Sequence, residues 1–352
     1  MATTAHPQAL AKPSRPIGSY VMPVMAAILV GLLVFWLIVN FVKGPAYFTN
    51  IAFIGLTNGA VYALVALGYT LVYGILELIN FAHGDVFMLG ALFSASMLSV
   101  FGVTAKSSSG TLAVGIIGSL VVAMLACGFL NVAIERVAYR PLRGAPRLAP
   151  LITAIGMSFI LQDVAIAWKG PGYIAVPEVL PTGDVFSVAG VTYTWEKLIV
   201  FVITVPVLLA LMWLVQQTRQ GKAMRATAQD RDAAAMMGID VNRTISFTFL
   251  IAGALAGAGG LLYALYFGQV HYDTGFTLGL IAFTAAVLGG IGNLPGAVLG
   301  ALVIGFIQAF NEGLTWHSPG SNWTQSIVFT ILILILVFRP EGLLGERTPE
   351  GA

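Results

Sequence analysis

The chain has 352 residues, 58% of them hydrophobic, with 40 glycines and only 9% Asp, Glu, Lys or Arg. Roughly a quarter of an ordinary soluble domain is charged, so this composition excludes a soluble fold; the apolar content excludes disorder, and the lack of a glycine period excludes collagen. One cysteine, Cys127, leaves no intramolecular disulfide and no cysteine-based zinc cluster, and a formal charge of +2 is too small for nucleic-acid binding.

What remains is an all-α, polytopic membrane bundle. Residues 1–20, with Pro7, Pro13 and Pro16 among small polar residues, read as a disordered tail. The first apolar run, 21–42, is longer than the h-region of a signal peptide, about 7–15 residues, and reads as a retained helix. Ten runs predict membrane helices: 21–42, 50–73, 84–103, 111–134, 149–168, 198–216, 245–268, 276–291, 297–312 and 324–338. A span needs about 20 residues, and the last three runs are short. Either their boundaries differ, or 276–312 includes a re-entrant or tilted hairpin, so the expectation is eight to ten spans. Residues 21–345 form one membrane domain, and 346–352 a C-terminal tail. A five-plus-five division is open; an odd half-length would make the halves inverted, although no convincing sequence match joins them.

Orientation follows from the basic residues. Alternation through ten spans places Lys12, Arg15, Arg136, Arg140, Arg143, Arg147, Arg219, Lys222, Arg225, Arg231, Arg243, Arg339 and Arg347 on the side of the N-terminus, thirteen in all. The other side receives four, Lys43, Lys106, Lys169 and Lys197. Both termini are therefore expected in the cytoplasm.

No Walker A, HExxH or GxSxG string is present. Glu77, Asp85, Asp163 and Glu312 all fall close to predicted span ends, which leaves mid-membrane positions almost free of charge. Uphill transport would draw its energy from a partner.

Four segments carry further information. In Gly55–Gly90, Asn58, Tyr62, Tyr69 and Tyr73 fall near one helical face, followed by a polar interruption that includes Asn80, His83 and Asp85. They are either hydrogen-bonding links between helices or the lining of a solute path. His83 beside Asp85 lacks a third ligand for a metal. The loop 169–197 is the longest on the outer side, and either a landing surface or a solvated loop. In the loop 217–243, Thr227-Ala228-Gln229-Asp230 resembles a capping box and Gly238 is a natural stop, which predicts a helix from Ala228 to Met237 about 15 Å long. That helix either lies on the bilayer or docks on a soluble partner. From Gly253 to Gly305, glycines at small-xxx-small spacing predict close helix packing.

Together these segments resemble the integral membrane permease of branched-chain amino-acid ABC importers, the H-type subunit of the Leu/Ile/Val system. The strings that carry the resemblance are 58–64 (NGAVYAL), 68–74 (GYTLVYG), 79–84 (INFAHG), 135–143 (ERVAYRPLR), 154–158 (AIGMS) and 282–292 (AFTAAVLGGIG), within a match from about residue 50 to 345. The resemblance implies an ABC importer permease that forms the translocation path for leucine, isoleucine and valine; urea, short amides or other amino acids are alternative cargoes. It implies a cytoplasmic coupling helix at about 228–238, with Arg225, Thr227, Asp230, Ala234, Met237 and Gly238 as ATPase-docking residues. Gln229 departs from the family, where Glu is common. Asn58, Tyr62, Tyr69, Asn80 and His83 are the path candidates.

The implied partners are a second, similar permease, two cytoplasmic ATPases, a periplasmic substrate-binding protein and the bilayer of a bacterial inner membrane. No nucleic acid is implied. The chain itself would be no enzyme and would hold no cofactor, since ATP and magnesium would be used by the ATPases. A stand-alone channel or secondary carrier is the alternative from another class. An intramembrane enzyme would need a nucleophile–base pair at membrane depth, and none is found.

Overall fold

A computed structural model describes residues 18–104, 107–146, 148–180, 183–339 and 341–345. The N-terminal tail up to residue 17 and the C-terminal tail lie outside the described residues, as do Lys106 and Arg147. Helix already begins at Gly18, inside the stretch expected to be tail.

All ten apolar runs form helices: α1 Gly18–Lys43, α2 Pro45–Leu76, α3 Ala82–Val100, α4 Ser109–Ile134, α5 Leu148–Lys169, α6 Trp195–Gln217, α9 Val241–Phe267, α10 Thr274–Gly289, α11 Leu294–Gly313 and α12 Thr324–Phe338. Between α6 and α9 lie two short helices, α7 Arg219–Gln229 and α8 Arg231–Met236. Among the described residues, eight helices are long and apolar enough to cross a membrane. The 16-residue α10 is shorter, and most of its side chains are buried among its neighbours, where a short helix is tolerated.

Most of the helix contacts map onto one another when α1–α5 are exchanged with α6, α9, α10, α11 and α12. α2 packs on α11 as α9 packs on α4; α3 packs on α9 as α10 packs on α2; α5 packs on α3 as α12 packs on α10. Corresponding helices run in opposite directions, because α2 starts where α9 ends. The five-plus-five division thus holds in the packing, and it is inverted.

Lipid gives apolar helices no net drive to associate, so close backbone approach supplies the contact energy instead. At the α2–α11 crossing a Cβ on Gly305 would lie 2.4 Å from the Gly59 nitrogen and 2.5 Å from the Gly55 oxygen. Only a bare backbone fits there.

The loop after α5 is not plain coil. Strand β1 Ile174–Ala175 pairs antiparallel with β4 Gln269–Val270, and β2 Asp184–Val188 pairs with β3 Val191–Thr194. The turn at Ala189 and Gly190 has positive φ at both residues, 51° and 81°, the conformation that matches strand twist. Asn50 holds this hairpin on the bundle: its amide donates to the Gly190 carbonyl at 3.0 Å, and its oxygen accepts from the Thr192 N–H at 2.9 Å. The bundle therefore has two unlike ends, one with the hairpin and one with α7 and α8.

Candidate functional site

The α7–α8 end is built from helix caps. Thr218 caps α7 by accepting from the Gly221 N–H at 3.0 Å. Gly221, Met224 and Thr227 form its buried stripe. The Asp230 side chain then accepts from the N–H groups of Asp232 and Ala233, both at 2.9 Å, and starts α8. At the far end Gly238 has φ +85°; its N–H reaches the Ala235 carbonyl and the Ile239 N–H the Ala234 carbonyl, both at 3.0 Å. This pair of bonds is the αL stop that glycine favours.

The expected single helix from Ala228 to Met237 is corrected by this geometry. Asp230 is extended (φ −155°, ψ 114°), so the helix breaks there and α8 has six residues. Thr227 cannot cap it, because it lies inside α7 and is buried.

Two arginines tie the module to the bundle. Arg225 donates to the Val215 carbonyl in the last turn of α6, and Arg231 Nη2 donates to the Ile75 carbonyl of α2 at 2.9 Å. Helix C-termini carry unsatisfied carbonyls and partial negative charge, so cations are favoured there. Of the six docking candidates, Thr227 and Ala234 are buried and Arg225 is engaged with α6. In this structure these three hold the module against the bundle. Asp230 and Gly238 shape its turns. The surface it presents is Met237, 83% exposed, with Met236, 82% exposed. Two thioether side chains this exposed, on a rigidly capped helix, form an adaptable apolar contact.

A buried ionic knot lies nearby. After α4 the helix widens to π geometry over Glu135–Tyr139 and tightens over Arg140–Leu142. Glu135 is fully buried; it accepts from Arg143, from Arg140 Nε and Nη2 at 3.2 Å each, and from Ser246 Oγ at 2.7 Å. Arg143 also reaches Asn242 Oδ1 at 2.6 Å, which fixes the start of α9 beside the end of α4. Burial lowers the Arg143 pKa, and Glu135 opposes that shift. Sequence reasoning missed Glu135 as a buried charge. The available signal was its spacing of five and eight residues from Arg140 and Arg143.

The five path candidates do not share one open surface. α2 is packed by α6, α9, α10 and α11, so it has no free face. Tyr69 and His83 are brought together, rings edge-on at 4.9 Å. Tyr62 instead donates to Gln308 Oε1 at 2.5 Å on α11, and Asn80 Oδ1 accepts from Tyr139 Oη at 2.7 Å. Asn58 is 5% exposed and Tyr62 1%. All five are core residues in this conformation, because the helix that carries three of them is central. His83 is also not paired with Asp85, whose carboxylate accepts from Ser158 and Gln162. Tyr62→Phe removes one hydrogen bond and only the volume of a hydroxyl, so it should cost about 1 kcal/mol and leave transport within about twofold of wild type. Thermal unfolding and uptake of the same preparation check this.

Known proteins are similar in sequence to this chain. The family model for the permease component of branched-chain amino acid transport systems matches residues 51–337. The high-affinity branched-chain amino acid transport system permease protein BraD of Pseudomonas aeruginosa is 40% identical over 299 residues, covering 84% of this chain and 95% of BraD. The corresponding LivH of Escherichia coli K12 is 38% identical over 311 residues, covering 86% of this chain and 97% of LivH. A probable branched-chain amino acid transport permease, LivH of Methanocaldococcus jannaschii, is 30% identical over 296 residues, covering 80% and 88%.

Proposed function

Because the chain belongs to the branched-chain amino acid transport permease family, we propose that it and a second, similar permease form the path of an ATP-driven importer for leucine, isoleucine and valine. It is a multi-span transport permease subunit of the ABC importer class. In the proposed assembly two ATPases sit at the α7–α8 end and use ATP and magnesium, so the chain itself performs no catalysis and needs no cofactor. A periplasmic binding protein delivers the solute at the hairpin end. The membrane is a bacterial inner membrane, with both termini in the cytoplasm. The excess of Arg and Lys at the α7–α8 end supports that orientation.

The observation that carries the docking assignment is the exposed Met236–Met237 pair on a helix tethered to the ends of α2 and α6. A helix pushed by a partner moves the bundle only if it is fixed to it, and the two arginine tethers provide that link. We place alternating access on this lever: the ATPases close, α7 and α8 move, and the ends of α2 and α6 follow.

A mild-detergent pull-down with mass spectrometry tests the assembly. Two ATPases and a second permease are the expected companions, and leucine the expected cargo in uptake with the cognate binding protein. A chain that purifies alone and transports alone would make it a carrier or channel. An intact assembly that takes up urea or short amides instead would move the cargo but keep the machine.

Gly238→Pro probes the module. Proline cannot adopt φ +85° and lacks the N–H that bonds Ala235. Membrane insertion should be unchanged, and ATP-dependent uptake should fall about tenfold or more. Normal uptake would remove the docking role from 231–238.

A further inference from the structure

Two carboxylates within the membrane-spanning helices are fully buried, Glu135 and Asp85. Glu135 is satisfied by two arginines. Asp85 has no cation beside it among the described residues. Its Oδ2 accepts from Ser158 Oγ, and its Oδ1 from Gln162 Nε2 at 3.3 Å. Gln162 Nε2 also lies 3.3 Å from Ser158 Oγ. Asp85 lies in the first turn of α3, where the helix N-terminus favours an anion, yet a buried carboxylate without a cation is costly at membrane depth, and a cation would be its natural complement.

The carboxylate lies between two walls. Asp85 sits on the seam between α3 and α5. On the α10 side, a Cβ on Gly275 would lie 2.8 Å from Asp85 Oδ1 and 2.6 Å from the Gly84 oxygen, so that wall is bare backbone. The other wall is α5, which meets the body chiefly along α3 and at its foot against 135–139. Its outer face carries Ile152, Ile155, Phe159 and Ile160, all exposed. The two donors that cover Asp85 both belong to this outlying helix. Moving α5 away from α3 would bare the carboxylate and take both covering groups with it.

Resting on the permease reading above, we propose that Asp85 is the subsite for the ammonium group of the passing zwitterionic amino acid, with Ser158 and Gln162 as the groups that cover it when no solute is there. An apolar amino acid carries its side chain through lipid-like surroundings without difficulty; its ammonium group is what needs an anion. Ser158 and Gln162 satisfy Asp85 in the closed state and yield to the stronger, charge-assisted bond when the solute arrives.

The test uses the whole assembly in proteoliposomes, with leucine as the probe and uptake and ATP hydrolysis read together. Asp85→Asn should assemble, keep ATP hydrolysis stimulated by loaded binding protein within about twofold, and lose about tenfold or more of leucine uptake. Asp85→Glu keeps the charge but fits the Gly275 wall less well, and it should transport better than Asp85→Asn. Uptake by Asp85→Asn close to wild type would overturn the subsite. So would Asp85→Asn outperforming Asp85→Glu, the order that packing alone dictates. Should Asp85→Asn not assemble, carbodiimide modification of Asp85 in the wild-type assembly decides. With ATP and binding protein present to drive the movement that bares the carboxylate, slower modification when the binding protein carries leucine than when it is leucine-free supports the subsite, and equal modification with and without leucine overturns it. Failure of the wild-type assembly to take up leucine at all would overturn the branched-chain cargo of the proposed function rather than the subsite.

Discussion

Replacing Met236 and Met237 together by aspartate will release the ATPases and silence uptake, while the permease still inserts and folds. Both side chains are more than four-fifths exposed, at 82% and 83%, so the free chain loses no internal packing. The partner loses an apolar anchor and must desolvate two carboxylates. Central anchors of interfaces are worth about 2 kcal/mol or more, which is about thirtyfold in affinity. Retention of the ATPases in a mild-detergent pull-down is the direct measurement, and uptake is the second. Undiminished retention would mean that the partner grips another surface. Ala234 is the contrasting position: it is buried, so a charge there would disturb the seat of α8 itself.

Gly305→Val will strongly destabilise the bundle. The new Cβ meets the backbone of Gly59 at 2.4 Å and of Gly55 at 2.5 Å, and backbone cannot rotate aside as a side chain can. Overpacking typically costs 1–3 kcal/mol, and a clash with two main-chain atoms belongs near the top of that range, at about 3 kcal/mol. α2 and α11 would have to part along one of the most extensive contacts of the fold. The melting temperature in detergent should fall, with less folded protein recovered. Gly144→Ala is the control, because a Cβ at Gly144 meets nothing within 4 Å. Equal behaviour of the two variants would show that the α2–α11 contact tolerates separation.

The helices were legible because a membrane span is a run of about 20 apolar residues, and such runs stand out from their flanks. Which face of each helix is buried was not legible. Facing lipid and facing a neighbour are both apolar environments, so α2 reads the same all round and its polar residues invite a path they do not line in this conformation. Gly238 was legible from glycine chemistry alone. The break at Asp230 was not, because Thr227 and Asp230 both offer a capping oxygen and the choice rests on distant contacts: Thr227 is buried, and Arg231 is drawn to Ile75. The β2–β3 hairpin did leave a signal, β-branched and aromatic residues on both sides of Ala189-Gly190, within a loop that reads as either a landing surface or a solvated loop. Asp85 and Glu135 sit near helix ends in sequence yet are buried in space, because neighbouring helices extend past them.

The inverted exchange of the two halves has a consequence for direction. An inverted duplicate presents the same architecture to both faces of a bilayer, so the ten-helix body by itself distinguishes neither import from export. The first half joins α1 to α2 through a single residue, Gly44. The second half carries α7 and α8 at the equivalent joint, between α6 and α9. Because the halves are inverted, those two joints lie on opposite faces, and only one of them offers a handle. If the ATPases dock as proposed, the handle that gives the machine its direction is a short insertion of some 23 residues between Gln217 and Val241, outside the bundle of helices through which the solute would pass.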